Sequence, residues 1–169
     1  MPHVESFKPV IGTQPRVLIL GSMPGVKSLQ QQQYYAHPRN SFWPILGELF
    51  SIEWSQNYRQ KINQVSRLPV ILWDVLSSCQ REGSLDSDIQ HDQLQANDIA
   101  KLLREYPTVE LIAFNGATAE KLFRKLVLAE LDHPEMYTLQ RLPSTSPAHA
   151  SKSRQQKLQE WSVVQDFCN

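Results

Sequence analysis

Four short apolar runs punctuate this chain, and helix-like stretches lie between them. Val17-Leu18-Ile19-Leu20 is the first run and ends at Gly21. Phe42, Ile45, Leu46, Leu49 and Phe50 then recur at i, i+3, i+4, i+7 and i+8, which predicts an amphipathic helix. Pro44 falls in its first turn, where a missing N–H costs little. Val70-Ile71-Leu72-Trp73 reads as the second strand. Residues 77–96 are polar and acidic and read as a long loop. Ile99, Leu102, Leu103 and Tyr106 form a second helical stripe, closed by Pro107. Val109 to Phe114 reads as the third strand, ended by Asn115-Gly116. Leu122, Phe123, Leu126 and Val127 mark a helix, and Tyr137 to Leu142 the fourth strand. Ser151 is the expected N-cap of a last helix carrying Leu158, Trp161, Val164 and Phe167.

This β-α-β-α-β-α-β-α order predicts an α/β fold, a three-layer α/β/α sandwich around a four-stranded parallel sheet. Continuous apolar strands, rather than alternating ones, fit burial on both faces. The polar residues that stand out all follow strand ends. Gly21–Gly25 and Tyr35–Asn40 follow the first strand, Asp74 the second, Asn115-Gly116 the third and Pro143–His149 the fourth. In an open α/β sheet that rim lines the ligand crevice.

At 169 residues the chain is long enough to bury a real core, and residues 1–169 are expected to form one domain. No run of 18 apolar residues predicts a membrane span, and no basic-then-apolar leader is visible. Cys79 and Cys168 are not paired in a CxxC, so a reduced, cytoplasmic protein is expected. The histidines lack a paired metal-ligand spacing, and neither a metal nor a cofactor is expected. Formal net charge is zero, unlike a strongly basic nucleic-acid binder. The charge is uneven, however: residues 82–110 hold seven acidic and two basic side chains. They read as an acidic patch facing away from a mildly basic face, or as ordinary solvated surface.

The turn Gly21-Ser22-Met23-Pro24-Gly25 allows close backbone approach by a ligand, although many strand-ending Gly/Pro turns are only turns. Tyr35-Ala36-His37-Pro38-Arg39-Asn40-Ser41-Phe42-Trp43 gathers an aromatic ring, an imidazole, a guanidinium and a carboxamide. That mixture suits an unstacked base. Asn40 is in any case expected to cap a helix starting at Ser41, with Phe42 and Trp43 in the core. Leu142-Pro143-Ser144-Thr145-Ser146-Pro147-Ala148-His149 is stiff and polar. It suits a wedge pushed into a duplex, or an ordinary serine-capped connection.

These two motifs, on this layout, resemble the uracil-DNA glycosylase superfamily over nearly the whole chain. The Tyr35–Trp43 stretch is similar to the mismatch-specific uracil/thymine branch, and the closest resemblance is to the hypoxanthine (deoxyinosine) DNA glycosylases. The resemblance implies a monofunctional base-excision enzyme that flips a deaminated base, hypoxanthine or uracil, and hydrolyses its N-glycosidic bond to leave an abasic site. It implies DNA carrying deaminated bases as partner; a monomer without membrane contact is expected. Gly21, Ser22, Met23, Tyr35 and Asp74 would contact the base, Tyr35 by stacking. Arg39, Ser144, Thr145, Ser146, Pro147, Ala148, His149, Lys152 and Arg154 would contact DNA.

Two departures matter. Most branches place Asp or Asn where this chain has Met23, and a thioether can neither position water nor stabilise a sugar cation. The hypoxanthine branch shares that lack, and its catalytic amide matches Asn40. Relatives also carry Asn where this chain has Asp74, which accepts hydrogen bonds but donates none unless protonated. Three alternatives stay open. The missing first-motif carboxylate suggests a non-catalytic DNA-damage-binding protein. A hydrolase using Asp74, Ser144 and His149 lacks the GxSxG elbow. A nucleotide or flavin module using Gly21–Gly25 lacks the phosphate-binding spacings.

Overall fold

The computed structural model describes residues 2–90 and 94–169. Its strands are β1 (His3–Glu5), β2 (Val10–Ile11), β3 (Val17–Gly21), β4 (Val70–Asp74), β5 (Leu76–Gln80), β6 (Gln95–Ala96), β7 (Leu111–Asn115) and β8 (Thr138–Leu142). Its helices are α1 (Val26–Gln31), α2 (Phe42–Phe50), α3 (Tyr58–Val65), α4 (Ile99–Glu105), α5 (Ala117–Leu126) and α6 (Arg154–Cys168).

The main sheet runs β2-β4-β3-β7-β8. The four anticipated strands are mutually parallel, and the two-residue β2 adds an antiparallel edge beside β4. The α/β fold expected from the sequence is therefore present, with a fifth strand too short for periodicity to reveal.

Alternation along the central strands divides the core between two faces. Leu18, Leu20, Ile71, Ile112 and Phe114 pack with α4 and α5 residues such as Leu102, Leu103, Leu122 and Phe123. Val17, Ile19, Val70, Leu72, Leu111 and Ala113 pack with Phe42, Leu46, Trp161 and Val164 from α2 and α6. Strands β3 and β7 are buried at every position, which is why they read as unbroken apolar runs. At the sheet edge β8 leaves Thr138, Gln140 and Arg141 exposed. Arg141 there pairs with Glu120 of α5 at 2.7 Å.

The segment 77–96 is not a loop. Strands β1, β5 and β6 form a separate antiparallel sheet in that order. A 3-10 turn at Asp86–Asp88 follows β5, and Cys79, Arg81 and Ile89 are buried. Ser77, Cys79 and Gln80 sit among polar neighbours, so the strand carries no apolar signature. Residues 91–93 of the expected loop lie outside the described residues. Helix α6 begins later than expected, with Ser153 as N-cap instead of Ser151. Gln156 lies three residues beyond Ser153 and closes a capping box, its side chain accepting the Ser153 N–H at 2.8 Å. The residue three beyond Ser151 is Arg154, which has no acceptor to offer.

Candidate active site

A cavity of about 410 Å³ opens at the carboxyl ends of β3, β4 and β7. Its floor begins at Gly21, which pairs in register with Asp74 of β4. A Cβ at Gly21 would lie 2.5 Å from Asp74 Oδ1, so glycine is required for the carboxyl group to lie where it does. The turn after Gly21 is braced by the segment after β5. The Ser22 hydroxyl donates to Asp86 Oδ1 at 2.6 Å, and the Val26 N–H donates to Ser84 Oγ at 2.7 Å. Buried Arg81 donates from Nη2 to the Pro24 carbonyl. Met23 lines the cavity but also belongs to the core on the α4/α5 face.

The stretch from Tyr34 to Trp43 forms the next wall. Tyr35 has a φ of +53°, a left-handed conformation that is uncommon for a bulky residue. The neighbours hold it there. Tyr34 N–H donates to the Tyr58 hydroxyl, Ala36 N–H donates to Ser28 Oγ, and Trp43 Nε1–H donates to the Tyr34 carbonyl. The Tyr35 ring stacks on Phe42 with centroids 3.9 Å apart and planes 15° apart. Burial pushes its phenol pKa up, and the nearby Asp74 carboxyl pushes it further, while Asn115 draws it back.

Asn40 also lines the cavity. Helix α2 starts at Phe42, one residue later than expected, and Ser41 makes no side-chain cap. Asn40 supplies the bond instead, its Oδ1 accepting the Phe42 N–H at 2.9 Å. The capping role is thus present with the helix boundary moved, and the carboxamide keeps its NH₂ and a second lone pair.

The loop after β8 meets this wall directly. Ser41 N–H donates to the Thr145 carbonyl at 3.0 Å. Asn115, at the end of β7, grips Thr145 twice: Oδ1 accepts the Thr145 N–H at 2.9 Å and Nδ2 donates to Oγ1 at 3.0 Å. Gly116 adopts a φ of +98°, and a Cβ there would come within 3.2 Å of Ser144 Cβ. At the far end of the loop, Lys157 of α6 donates from Nζ to the His149 carbonyl at 2.7 Å.

The structure therefore brings Gly21, Ser22, Met23, Tyr35, Asn40, Asp74 and the residues 144–149 around one cavity. Arg39, Lys152 and Arg154 do not line it. Arg39 and Arg154 are exposed, and Lys152 is ion-paired with Glu160. The sequence alone did not point to Asp86, Arg81 or the bracket made by Asn115, and it signalled His37 only as part of the Tyr35–Trp43 stretch. Asn115 was signalled by its place after a strand. Asp86 had no local signal, because it lies within the segment expected to be solvated; that acidic stretch turns one carboxylate into the cavity.

Asp74 is 4% exposed, and its Oδ2 has no hydrogen-bond partner among the described residues. Burial first, and then the Asp86 charge, push its carboxyl up to about 7 against a smaller opposing pull from Arg81. The Arg81 Nε and Nη1 and the His149 Nδ1 are also buried without a partner among the described residues. Among the described residues there is no cluster of side chains suited to a metal ion. No described helix is long and apolar enough to cross a membrane.

Residues 9–167 match the uracil DNA glycosylase superfamily. A hypoxanthine DNA glycosylase of Methanosarcina acetivorans is 33% identical over 164 residues, covering 95% of this chain and 96% of the relative. One from Methanosarcina barkeri is 37% identical over 113 residues, 66% of this chain and 70% of the relative. The solution NMR structure of a candidate uracil DNA glycosylase from Methanosarcina acetivorans superposes with a TM-score of 0.79 at 32% identity, covering 98% and 99% of the two chains. With the motif-bearing loops gathered on one rim and the match running through almost all of the sequence, the chain belongs to the uracil DNA glycosylase superfamily.

Proposed function

We propose that this protein excises a deaminated base, hypoxanthine or uracil, from DNA and leaves an abasic site. The observation that carries the reading is the meeting of a tyrosine ring, a carboxamide and a buried carboxyl group around one cavity at the sheet's carboxyl rim. Tyr35 supplies an aromatic surface for the extruded base. Asp74 addresses its hydrogen-bonding edge, and Gly21 and Ser22 form the floor. Met23 supplies no polar group. Asn40, fixed by the Phe42 N–H, is then the amide available to orient the attacking water.

The chemistry matches these parts. Glycosidic cleavage passes through an oxocarbenium-like sugar. The departing base carries negative charge, which fixed donors in a water-poor cavity stabilise. The loop at 144–149 faces the duplex and fills the gap left by the base. Arg39, Lys152 and Arg154 add phosphate contacts around it. Homology supports the reading through relatives named as hypoxanthine DNA glycosylases.

The test is incubation with duplexes carrying deoxyinosine or deoxyuridine, followed by alkali. Strand breaks that appear only after alkali support a monofunctional glycosylase. Borohydride is added in parallel, since Lys27 lines the cavity. A trapped covalent adduct would replace hydrolysis by water with an amine mechanism. Lesion binding with the base left in place would instead support a damage sensor, the reading suggested by the lack of a polar group at Met23.

A further inference from the structure

One side of the cavity holds two carboxyl groups, of which only Asp74 takes part in the reaction proposed above. Asp74 lies at the end of β4 against Gly21, with Oδ2 buried and unpartnered. Asp86 reaches the same cavity from the 3-10 turn after β5 and is tied to Ser22. Resting on the proposed function, we propose that Asp74 meets the flipped base as a neutral carboxylic acid, and that Asp86 is the positioning residue that keeps it neutral.

The geometry argues for this assignment. An ionised carboxylate with an orphaned buried oxygen is costly, and a neutral acid is much less so. The Asn97 amide offers no relief, because its Nδ2 donates to the backbone carbonyl of Asp74 and not to its side chain. Among the described residues neither Asp74 nor Asp86 forms an ion pair. The charged and titratable groups around Asp74 come from several elements. Tyr34 and Tyr35 precede α2, Asp86 lies on the 3-10 turn, and Arg81 follows β5. Lys27, His37 and His149 line other parts of the cavity. Arg81 alone opposes the neutral form of Asp74 directly, and its effect is smaller than those of burial and of Asp86.

Asp86 is the better carrier of the single negative charge. Burial pushes its carboxyl up as well, but the Ser22 hydroxyl donates to it at 2.6 Å and the Arg81 charge draws it back down. Two carboxyl groups near one cavity resist ionising together, so charge on Asp86 favours the proton on Asp74. A protonated carboxyl group presents one O–H donor beside one carbonyl acceptor. That layout copies the carboxamide expected at this position in relatives. It also complements the adjacent N–H and C=O shared by hypoxanthine and uracil, the N–H meeting the acid's carbonyl and the C=O its hydroxyl. The aspartate at this position is therefore a substitute for an amide, made workable by a second acid from a distant segment.

The experiment is single-turnover excision on a deoxyinosine duplex from pH 5.5 to 9 with the full chain and its variants. Wild-type rate should fall as pH rises through about 7, tenfold for each further pH unit. Asp74→Asn should lack that fall and exceed wild type by up to about a hundredfold at pH 9, whereas Asp74→Ala should be slow throughout. Asp86→Asn should move the fall to lower pH. Asp74→Asn that is slower than wild type at every pH, while folded by thermal melt, would overturn the proposal. So would an unmoved profile in Asp86→Asn. A second readout does not depend on excision: the Asp74 carboxyl ¹³C resonance, identified by its loss in Asp74→Asn, is titrated in wild type and Asp86→Asn. Titration below pH 5 in wild type overturns the neutral acid even if the enzyme is active. A wild type that excises neither base overturns the proposed function, while the resonance still decides the protonation state.

Discussion

On one wall of the cavity, the Asn115 carboxamide spends both ends on Thr145, and the Asn40 carbonyl takes the Phe42 N–H. On the other, Asp74 keeps an oxygen that is buried without a hydrogen-bond partner among the described residues. Both walls are polar, and both lie at the rim of the same sheet. The first is a finished frame that holds two distant loops in register. The second carries a polar atom whose desolvation is uncompensated, an arrangement that persists when the rest of the fold overdetermines it. A rigid wall and an unsatisfied wall facing each other suit a site whose missing hydrogen bonds are made by the ligand.

The largest expected effect tests the unsatisfied wall. The Asp74 carboxyl is raised from 3.8 to about 7 in the folded protein. Protons are therefore held more tightly in the folded state, and stability drains away as pH rises from about 4 to about 7, then levels off. Asp74→Asn escapes this loss. It should be more stable than wild type by up to about 4 kcal/mol above pH 7, and the gain should vanish below pH 4. Urea melts at pH 4 and pH 8 measure it, and an equal gain at both would place the cause outside the carboxyl group.

The second prediction asks whether the finished wall also does chemistry. Asn40→Ala should lower the single-turnover excision rate at least about 10²-fold, the size of losing one transition-state donor. Loss of the cap alone should cost only about 1 kcal/mol of stability. A folded variant with normal excision would move the catalytic amide elsewhere.

Breaking the bracket comes next. Asn115→Ala leaves the Thr145 N–H and hydroxyl without their partner in a buried setting and should destabilise by about 2 kcal/mol. Thermal melts and proteolysis of the loop at 144–149 should report it together, because the bracket joins that loop to β7.

The smallest expected effect concerns Tyr35, which touches both walls. Tyr35→Ala should weaken productive binding by about 1–3 kcal/mol through lost stacking. Tyr35→Phe keeps the ring and should be mild. Equal impairment of the two, in binding titrations with lesion duplex, would shift the weight from the ring face to the hydroxyl beside Asp74.

The amino-acid sequence by itself determined the parallel core and the rim. Val17–Leu20 and Val70–Leu72 are buried on both faces, so an apolar run of strand length was enough to mark them. The stripe Phe42, Ile45, Leu46 and Leu49 marked α2 because one helix face meets the sheet. Tyr35, Asn40, Asp74 and the Pro143–His149 loop were legible because they follow strand ends or lie within recognisable motifs. Strands β1, β2, β5 and β6 were not, being two to five residues long or polar. Ser151 was the wrong cap because a cap depends on the residue three positions on as well as on itself. Only the tertiary structure decided that Asp86 stands beside Asp74, that Arg81 is buried under Pro24, and that Asn115 grips Thr145. Ser22 and Asp86 lie 64 positions apart. Local periodicity reports which face of an element is dry. Pairing between polar groups on distant segments depends on where the folded chain returns, which no local pattern records.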